Sequence, residues 1–279
     1  MSVDCATVLS LSPRWEERDM IYLFKAEVSL HFCNGPTKQN VLVGRVSLIN
    51  DTNHINNTLL GVFKMNGLLV VVGAGPGIGN HVAKKFGEQG FRVVLVSRDR
   101  NKLENYLKEF NEKNIEAFAV TADVASRESI AHAFKEIKDK YGQINVMVYN
   151  AALVADGKPS ELTREELYQH FQIDVQGALD AALQVIPEMM GNEGTMLFTG
   201  GGLGLHPAAD YAALSIGKAG IRALALSLAE ELKPKGIFVG TVTITGFVAE
   251  GTMFAPALIA DQYWELYKNR TDHEIIYSE

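Results

Sequence analysis

From residue 65 onwards, short and continuously apolar runs alternate with longer segments in which apolar residues recur every three or four positions. The short runs predict buried strands, because a strand covered on both faces does not alternate. The longer segments predict amphipathic helices. The predicted strands are Leu68–Val72 and residues 92–96, 115–120, 144–148, 195–199 and 238–244, with a final edge strand at 274–277. The predicted helices are residues 78–89, 101–113, 126–141, 163–190 and 208–232.

Two of the predicted helices carry recognisable start signals. Ser126 and Thr163 stand at the beginnings of their segments, and Glu166 follows Thr163 by three positions, as in a capping box. Strands that alternate with helices through short links predict an α/β fold, a doubly wound parallel sheet in three α/β/α layers. Such sheets bind ligands at the carboxyl ends of their strands. The pattern therefore predicts one main domain, residues 65–279, with a site at that edge.

Residues 1–64 do not share this pattern. They contain two β-like runs, residues 26–32 and 41–49, followed by an Asn-rich stretch at 50–57, and their acidic and basic residues balance. This N-terminal extension matches no module that we can assign. Two interpretations stay open: a poorly packed appendage, or upstream reading-frame extension, and a small β element that docks on the main domain.

Composition narrows the class of protein. The chain has 279 residues, of which 47% are hydrophobic and 21% charged, so general disorder, collagen-like repeats and coiled coil are excluded. The formal net charge is −7 and no basic run occurs, which argues against nucleic acid as a partner and favours a small-molecule substrate. Cys5 and Cys33 cannot form a disulfide framework or a metal site, so we expect a cytoplasmic protein.

A membrane segment is also not expected. Residues 65–83 lack Asp, Glu, Lys and Arg, but they include five glycines and Pro76, so they predict a strand and a loop. The N-terminal residues contain no apolar stretch of the kind found in a secretory signal, and we expect no targeting segment there.

The glycine-rich turn after the first strand is the strongest chemical signal. Its residues are Gly73, Gly75, Gly77, Ile78 and Gly79, and they open the first predicted helix. Glycines let a pyrophosphate approach backbone N–H groups, and a helix N-terminus adds partial positive charge. A strand, a turn and a helix in this order predict a dinucleotide site.

The end of the second strand indicates which dinucleotide binds. NAD-binding folds usually place an acidic residue there against the ribose 2′-hydroxyl, whereas this chain has Ser97 and Arg98. Arg98 can pair with a 2′-phosphate and Ser97 can donate a hydrogen bond to it. NADP(H) is therefore preferred, and NAD(H) stays possible because Asp99 follows. The alternative interpretation of Arg98 is a solvated surface side chain.

With these motifs, residues 66–255 resemble the short-chain dehydrogenase/reductase superfamily, which implies a Rossmann-like fold. The family's Gly-x-x-x-Gly-x-Gly pattern is matched at Gly73, Gly77 and Gly79. The family's Asp-Val motif, which lies near the adenine in relatives, is matched by Asp123-Val124. Two further family motifs are matched in part, by Tyr149-Asn150-Ala151-Ala152 and by Asp174-Val175-Gln176-Gly177. The resemblance implies that Asp123, Val124, Asn150, Ala151, Lys218, Val248 and Thr252 contact the cofactor.

The catalytic positions depart from the family's Ser and Tyr-x-x-x-Lys. Lys218 matches the lysine, but Leu214 stands in place of the tyrosine and Gly201 in place of the serine. Tyr211 lies seven residues before Lys218, about two helical turns, and Tyr-x6-Lys resembles the branch that includes enoyl-acyl-carrier-protein reductases. The candidate catalytic residues are Tyr211, to hydrogen-bond the substrate oxygen, Lys218, to hold the nicotinamide ribose, and Asp174, to pair with Lys218 or anchor a water.

Two functions from different classes remain. The first is an NAD(P)-dependent oxidoreductase that transfers a hydride between NADPH and a carbonyl or activated alkene. The second is a catalytically impaired nucleotide-binding sensor or scaffold. The resemblance also implies a homodimer or homotetramer that packs through residues 163–190 and 208–232.

Overall fold

A computed structural model of the chain describes residues 67–279 in full and, within residues 1–66, the backbone of four strands. The chain divides into two compact units, Met1–Met65 and Asn66–Glu279.

The first unit contains one antiparallel sheet in the order β1-β2-β3-β4. Its strands are β1 (Leu9–Leu11), β2 (Lys25–Asn34), β3 (Asn40–Ile49) and β4 (Thr58–Lys64). The β-like runs at 26–32 and 41–49 fall within β2 and β3, and the Asn-rich stretch lies outside the described residues. Both interpretations of this extension stay predictions.

The second unit is built on a seven-stranded sheet in which every strand pair is parallel. Its strands are β5 (Leu68–Val72), β6 (Arg92–Ser97), β7 (Ala117–Thr121), β8 (Val146–Tyr149), β9 (Thr195–Gly201), β10 (Phe238–Ile244) and β11 (Glu274–Tyr277). The strand order is β11-β10-β9-β8-β5-β6-β7, which confirms the predicted doubly wound fold and the final edge strand.

Helices cover both faces of this sheet. They are α1 (Ile78–Glu88), α2 (Arg100–Glu112), α3 (Arg127–Tyr141), α4 (Arg164–Phe171), α5 (Gly177–Met189), α6 (Ala212–Leu232) and α7 (Pro256–Asn269). One core lies between the sheet and α1, α2 and α7, and the other lies between the sheet and α3, α5 and α6. Because the strands face a core on each side, their residues are apolar without alternation.

The two sequence signals for helix starts are confirmed. Ser126 accepts a hydrogen bond from the Ser129 N–H at the start of α3. Thr163 and Glu166 form a complete capping box at the start of α4. Each pair satisfies backbone N–H groups that have no partner inside the helix.

Two predicted helix extents are wrong. Residues 163–190 are interrupted by a π-helical turn, Gln172–Gln176, between α4 and α5. Residues 208–232 become helical only at Ala212, because a β-bridge pairs Gly157 with Tyr211. The Gly157 N–H donates to the Asp210 carbonyl at 2.7 Å, and the Ala212 N–H donates to the Gly157 carbonyl at 3.1 Å. This pairing holds Tyr211 outside the helix, at φ −131° and ψ 44°.

Among the described residues, one helical segment, Ala212–Lys235, is long and apolar enough to cross a membrane by length and composition. Half of its most apolar stretch is buried inside the fold, where α6 packs on β9 and β10. That is the pattern of a core helix, and it is weak support for a membrane span.

Candidate functional site

Two cavities open at the carboxyl ends of the central strands, where β5 lies between β6 and β8. This is the position at which strand order reverses and open α/β sheets bind ligands. The smaller cavity, of about 260 Å³, lies beside β5 and β6. The larger cavity, of about 720 Å³, lies beside β8, β9 and β10. Asn150 lines both of them.

The glycine turn separates the strand β5 from the helix α1 and borders both cavities. Gly73 has φ +88°, and a Cβ there would overlap the Ala151 backbone. A Cβ on Gly79 would lie 2.7 Å from the Gly73 carbonyl oxygen. At Gly75 and Gly77 a Cβ would meet no atom within 4 Å among the described residues. The turn is therefore closely packed where it meets β8 and open where it meets the cavity, which fits the predicted pyrophosphate.

The smaller cavity contains the two residues that were predicted to select NADPH over NADH. Ser97 and Arg98 line it together with Gly73, Val124 and Ala151. Within the described chain, the exposed Arg98 side chain forms no hydrogen bond or ion pair. Asp99 accepts a hydrogen bond from the Lys102 N–H at 3.1 Å and thereby caps α2. The Arg98 guanidinium can therefore bind an anion, because the neighbouring carboxylate of Asp99 already caps α2.

Two of the predicted cofactor residues do not line either cavity. The Asp123 side chain accepts a hydrogen bond from the Ala125 N–H at 3.0 Å. The Thr252 hydroxyl donates to the Ala249 carbonyl at 2.8 Å. Both side chains stabilise turns, whereas the other predicted cofactor residues, Val248 and Lys218 among them, line one cavity or both.

A chain of hydrogen bonds connects α7 to the glycine turn. The buried Tyr263 hydroxyl donates to the Thr199 hydroxyl at 2.7 Å, and Thr199 donates to Asn150 Oδ1 at 3.0 Å. Asn150 Nδ2 then donates to the Gly73 carbonyl at 2.9 Å. The Thr199 carbonyl also accepts from Lys218 Nζ at 2.9 Å. Thr199 therefore holds both the lysine and the asparagine that supports the turn.

The fold shields two ionisable groups from water: Asp174 is buried, and Lys218 is half-buried at the cavity wall. Burial lowers the pKa of the Lys218 ammonium, and the negative charge of Asp174 opposes that shift. Burial raises the pKa of Asp174, which is 1% exposed. Asp174 Oδ1 accepts from the Leu153 N–H at 2.8 Å, and no Asp174–Lys218 ion pair forms in the described chain. A Cβ on Gly217 would overlap Asp174 Oδ2, so α6 approaches this carboxylate closely.

Tyr211 and Lys218 line the same cavity, although they do not lie on one helix. Tyr211 is 41% exposed at the residue before α6, and Lys218 lies inside the helix. Leu214, which lies between them in the sequence, is buried on the cavity wall. A Cβ on Gly201 would lie 3.3 Å from two carbons of the Lys218 side chain. The cavity thus offers one phenol and one ammonium.

Sequence reasoning missed several residues of the site. His170 lies beside Asp174, and its i, i+4 spacing on one helical stretch was the available signal. Tyr263 carried no such signal in the sequence, because its hydrogen-bond partner Thr199 is 64 residues away. Val154, His206 and Phe247 line the larger cavity from loops, whose course an apolar pattern does not predict.

Comparison with known proteins agrees with this geometry. A sequence model of the short chain dehydrogenase family matches residues 68–257. The 3-oxoacyl-(acyl-carrier-protein) reductase FabG of Staphylococcus epidermidis is 27% identical over 206 residues, which cover 72% of this chain and 83% of that protein. The corresponding Staphylococcus aureus protein is 27% identical over 190 residues, 66% of this chain and 76% of its own length.

Solved structures agree as well. A metagenomic short-chain oxidoreductase in complex with NADP is 26% identical, with a TM-score of 0.68 over 76% of this chain and 96% of that one. A short-chain dehydrogenase from Rhodopseudomonas palustris is 25% identical, with a TM-score of 0.69 over 77% of this chain and 99% of that one. The family match spans well over half of the sequence and includes the glycine turn, the lysine and the strands that carry them. The chain therefore belongs to the short-chain dehydrogenase family and is an oxidoreductase of that type.

Proposed function

We propose that the protein is an NADPH-dependent reductase of carbonyl or activated-alkene substrates, with Tyr211 as its proton donor. The observation that carries this function is the shared cavity of the glycine turn, Lys218 and Tyr211. The family match favours an enzyme over the sensor or scaffold alternative.

The preference for NADPH rests on the smaller cavity. Arg98 offers a guanidinium that no carboxylate of the described chain neutralises, and Ser97 lies next to it. A 2′-phosphate is the group of NADPH that such a pair recognises. The metagenomic relative whose structure contains NADP supports this choice. Arg98→Ala tests it: we expect NADPH to bind more weakly while NADH affinity stays the same. An unchanged ratio of the two affinities would refute the preference.

When bound, the nicotinamide supplies the hydride, and the protein supplies position and a proton. Lys218, whose ammonium donates to the Thr199 carbonyl, would bind the ribose hydroxyls and favour negative charge nearby. Tyr211 donates its phenolic proton to the substrate oxygen. Because its side chain is partly exposed, solvent can restore that proton. Leu214 occupies the position that carries tyrosine in the wider family, and a leucine side chain cannot donate a proton.

Tyr211→Phe tests the assignment of the proton donor. Removal of a positioned acid is expected to lower kcat by about 10²–10⁴-fold. NADPH affinity, measured by cofactor fluorescence, should not change, because the ring remains. Tyr168→Phe is the matched control, since Tyr168 is an exposed tyrosine on α4 that does not line the cavity. Tight NADPH binding without turnover of any ketone, aldehyde, enone or enoyl thioester would favour the sensor instead.

Self-association is part of the proposal. Leu179 and Leu183 lie one turn apart on α5 and expose much of their side chains, and Ile216 on α6 is 47% exposed. Exposed apolar side chains on two helices of the same face of the sheet favour a second copy of the chain as partner. Sedimentation of the native protein should show a dimer or tetramer, and Leu183→Glu should shift it toward monomer. A native protein that sediments as a monomer at micromolar concentration would contradict this part.

A further inference from the structure

We infer that the substrate is an uncharged carbonyl compound with an apolar body, and not an anionic thioester on coenzyme A or on an acyl-carrier protein. The inference rests on the proposed function and names its substrate class. In the step concerned, the carbonyl carbon accepts a hydride from NADPH and the oxygen accepts the Tyr211 proton. An alcohol and NADP⁺ result.

The wall of the larger cavity is the first argument. Beyond the glycine turn, most of the larger side chains that line it are apolar, among them Val154, Leu203, Leu214, Ile244 and Phe247. In the described part of the chain, the ionisable groups on this wall are His206, Tyr211 and Lys218. Lys218 and Tyr211 serve the reaction itself. No further lysine or arginine of the described chain is left on the wall to recognise a phosphate or carboxylate.

The exposure of two apolar residues is the second argument. Val154 is 71% exposed and Phe247 is 88% exposed, although both line the cavity. They follow β8 and β10, which flank β9 in the sheet, so their loops leave the same edge on either side of it. Exposed apolar groups that border a cavity mark a binding surface. An apolar substrate body would cover them, whereas an anionic chain would keep water beside them.

Charge beside Tyr211 is the third argument. The bridge between Gly157 and Tyr211 brings the exposed Asp156 and Asp210 to this part of the rim, with Lys158 as the cation next to them. The rim here therefore has no net positive charge. Coenzyme A and carrier proteins present several negative charges, which need a cationic surface to approach.

Matched substrates test the inference. The same 3-oxoacyl group is offered as its uncharged N-acetylcysteamine thioester and as its coenzyme A thioester, alongside a bicyclic ketone. We expect kcat/KM to be at least about tenfold higher for the two uncharged compounds. Equal or better turnover of the coenzyme A thioester would overturn the inference and leave the proposed function intact. Absence of NADPH oxidation with every compound would count against both.

Variants at the exposed positions add a second test. Phe247→Ala should raise KM for the bicyclic ketone about tenfold with little change in kcat, because a hydrophobic contact is lost. Val154→Lys should improve kcat/KM for the coenzyme A thioester. Leu258→Ala is the control, since Leu258 is exposed on α7 and does not line the cavity. Saturation-transfer NMR of the ketone with NADP⁺-loaded protein supplies a readout without turnover. Lack of transfer from the protein to the ketone would also overturn the inference.

Discussion

His170 Nδ1 lies 3.8 Å from Asp174 Oδ2, and within the described chain neither atom has a hydrogen-bond partner. Both side chains are buried, with 4% of His170 exposed. A buried polar atom without a partner destabilises a fold, because it has lost its bonds to water. Asp174 lies in the π-helical turn, and α6 approaches its carboxylate closely at Gly217.

Asp174→Asn is therefore expected to stabilise the protein at neutral pH by about 1–3 kcal/mol. The amide can accept from the Leu153 N–H with Oδ1 and donate to His170 with Nδ2. Burial raises the folded-state pKa of Asp174 above its unfolded value, so stability falls as pH rises between these two pKa values. The amide removes this loss. Urea unfolding at about pH 5 and about pH 8 measures both effects.

Asp139→Asn is the control for that experiment, because Asp139 is exposed on α3 and should change stability by less than about 0.5 kcal/mol. A variant at position 174 that is less stable than the parent at the higher pH would contradict the expectation.

The same substitution should change the pH dependence of turnover. Activity that requires the Lys218 ammonium is lost as pH rises through the lysine's pKa, which burial already lowers. Asp174 opposes that shift through its negative charge, and an amide does not. The alkaline limb of the kcat/KM profile should therefore move to lower pH in Asp174→Asn. An alkaline limb at the same pH as in the parent would show that Asp174 has no electrostatic effect on Lys218.

Variants of Thr199 and Tyr263 should rank in a fixed order of stability. Thr199→Val leaves the Tyr263 hydroxyl and Asn150 Oδ1 without partners, at about 1–3 kcal/mol for each buried group. Tyr263→Phe removes one donor and should cost about 1 kcal/mol. Thr199→Ser keeps the hydroxyl and is the control.

NADPH affinity should fall in Thr199→Val as well, because Asn150 supports the Gly73 carbonyl. Denaturation midpoints and cofactor titration measure the two quantities. Equal stability of Thr199→Val and Thr199→Ser would show that the hydrogen bonds contribute nothing.

Glu274 on β11 accepts two hydrogen bonds from Arg222 on α6, at 2.8 and 2.6 Å, and one from Thr243. Arg222 lowers the pKa of this carboxylate. The resulting stabilisation is present above the unfolded glutamate's pKa and is lost as pH falls through the lower folded value.

Glu274→Gln should therefore cost about 2 kcal/mol at neutral pH and flatten the acid side of the stability curve. Glu265→Gln, which removes an exposed charge near Lys268, is the control and should have little effect. Acid unfolding that is identical in Glu274→Gln and the parent would contradict the role of the pair.

Local signals predicted much of this fold. Leu68–Val72 and Phe238–Ile244 are strands with the predicted bounds, because continuous apolar runs between breaking residues carry their own limits. The capping box at Thr163 and the glycine turn after β5 are likewise patterns of residues that lie close together in sequence. Such features depend on sequence neighbours, so they can be recognised from one amino-acid sequence.

Features that depend on distant residues could not be found in this way. Tyr211 lies outside α6 because Gly157, in the loop after β8, pairs with it. The residues near Tyr211 in sequence do not indicate that partner. Tyr263 reaches Thr199 from a helix near the end of the chain. Asp123 matches a family position and Thr252 lies two residues beyond one, yet the side chains of both form hydrogen bonds within adjacent turns.

The β-bridge at Gly157 has a consequence for how this site can change. The phenol stands at the junction of this bridge with the start of α6, whereas the ammonium lies two turns further along the helix and is held by the Thr199 carbonyl. A change of length at residues 154–158 would therefore act on Tyr211 through the bridge, while the contact between Lys218 and β9 does not depend on those residues. Insertions in this one surface segment are accordingly a route by which the preferred substrate could change.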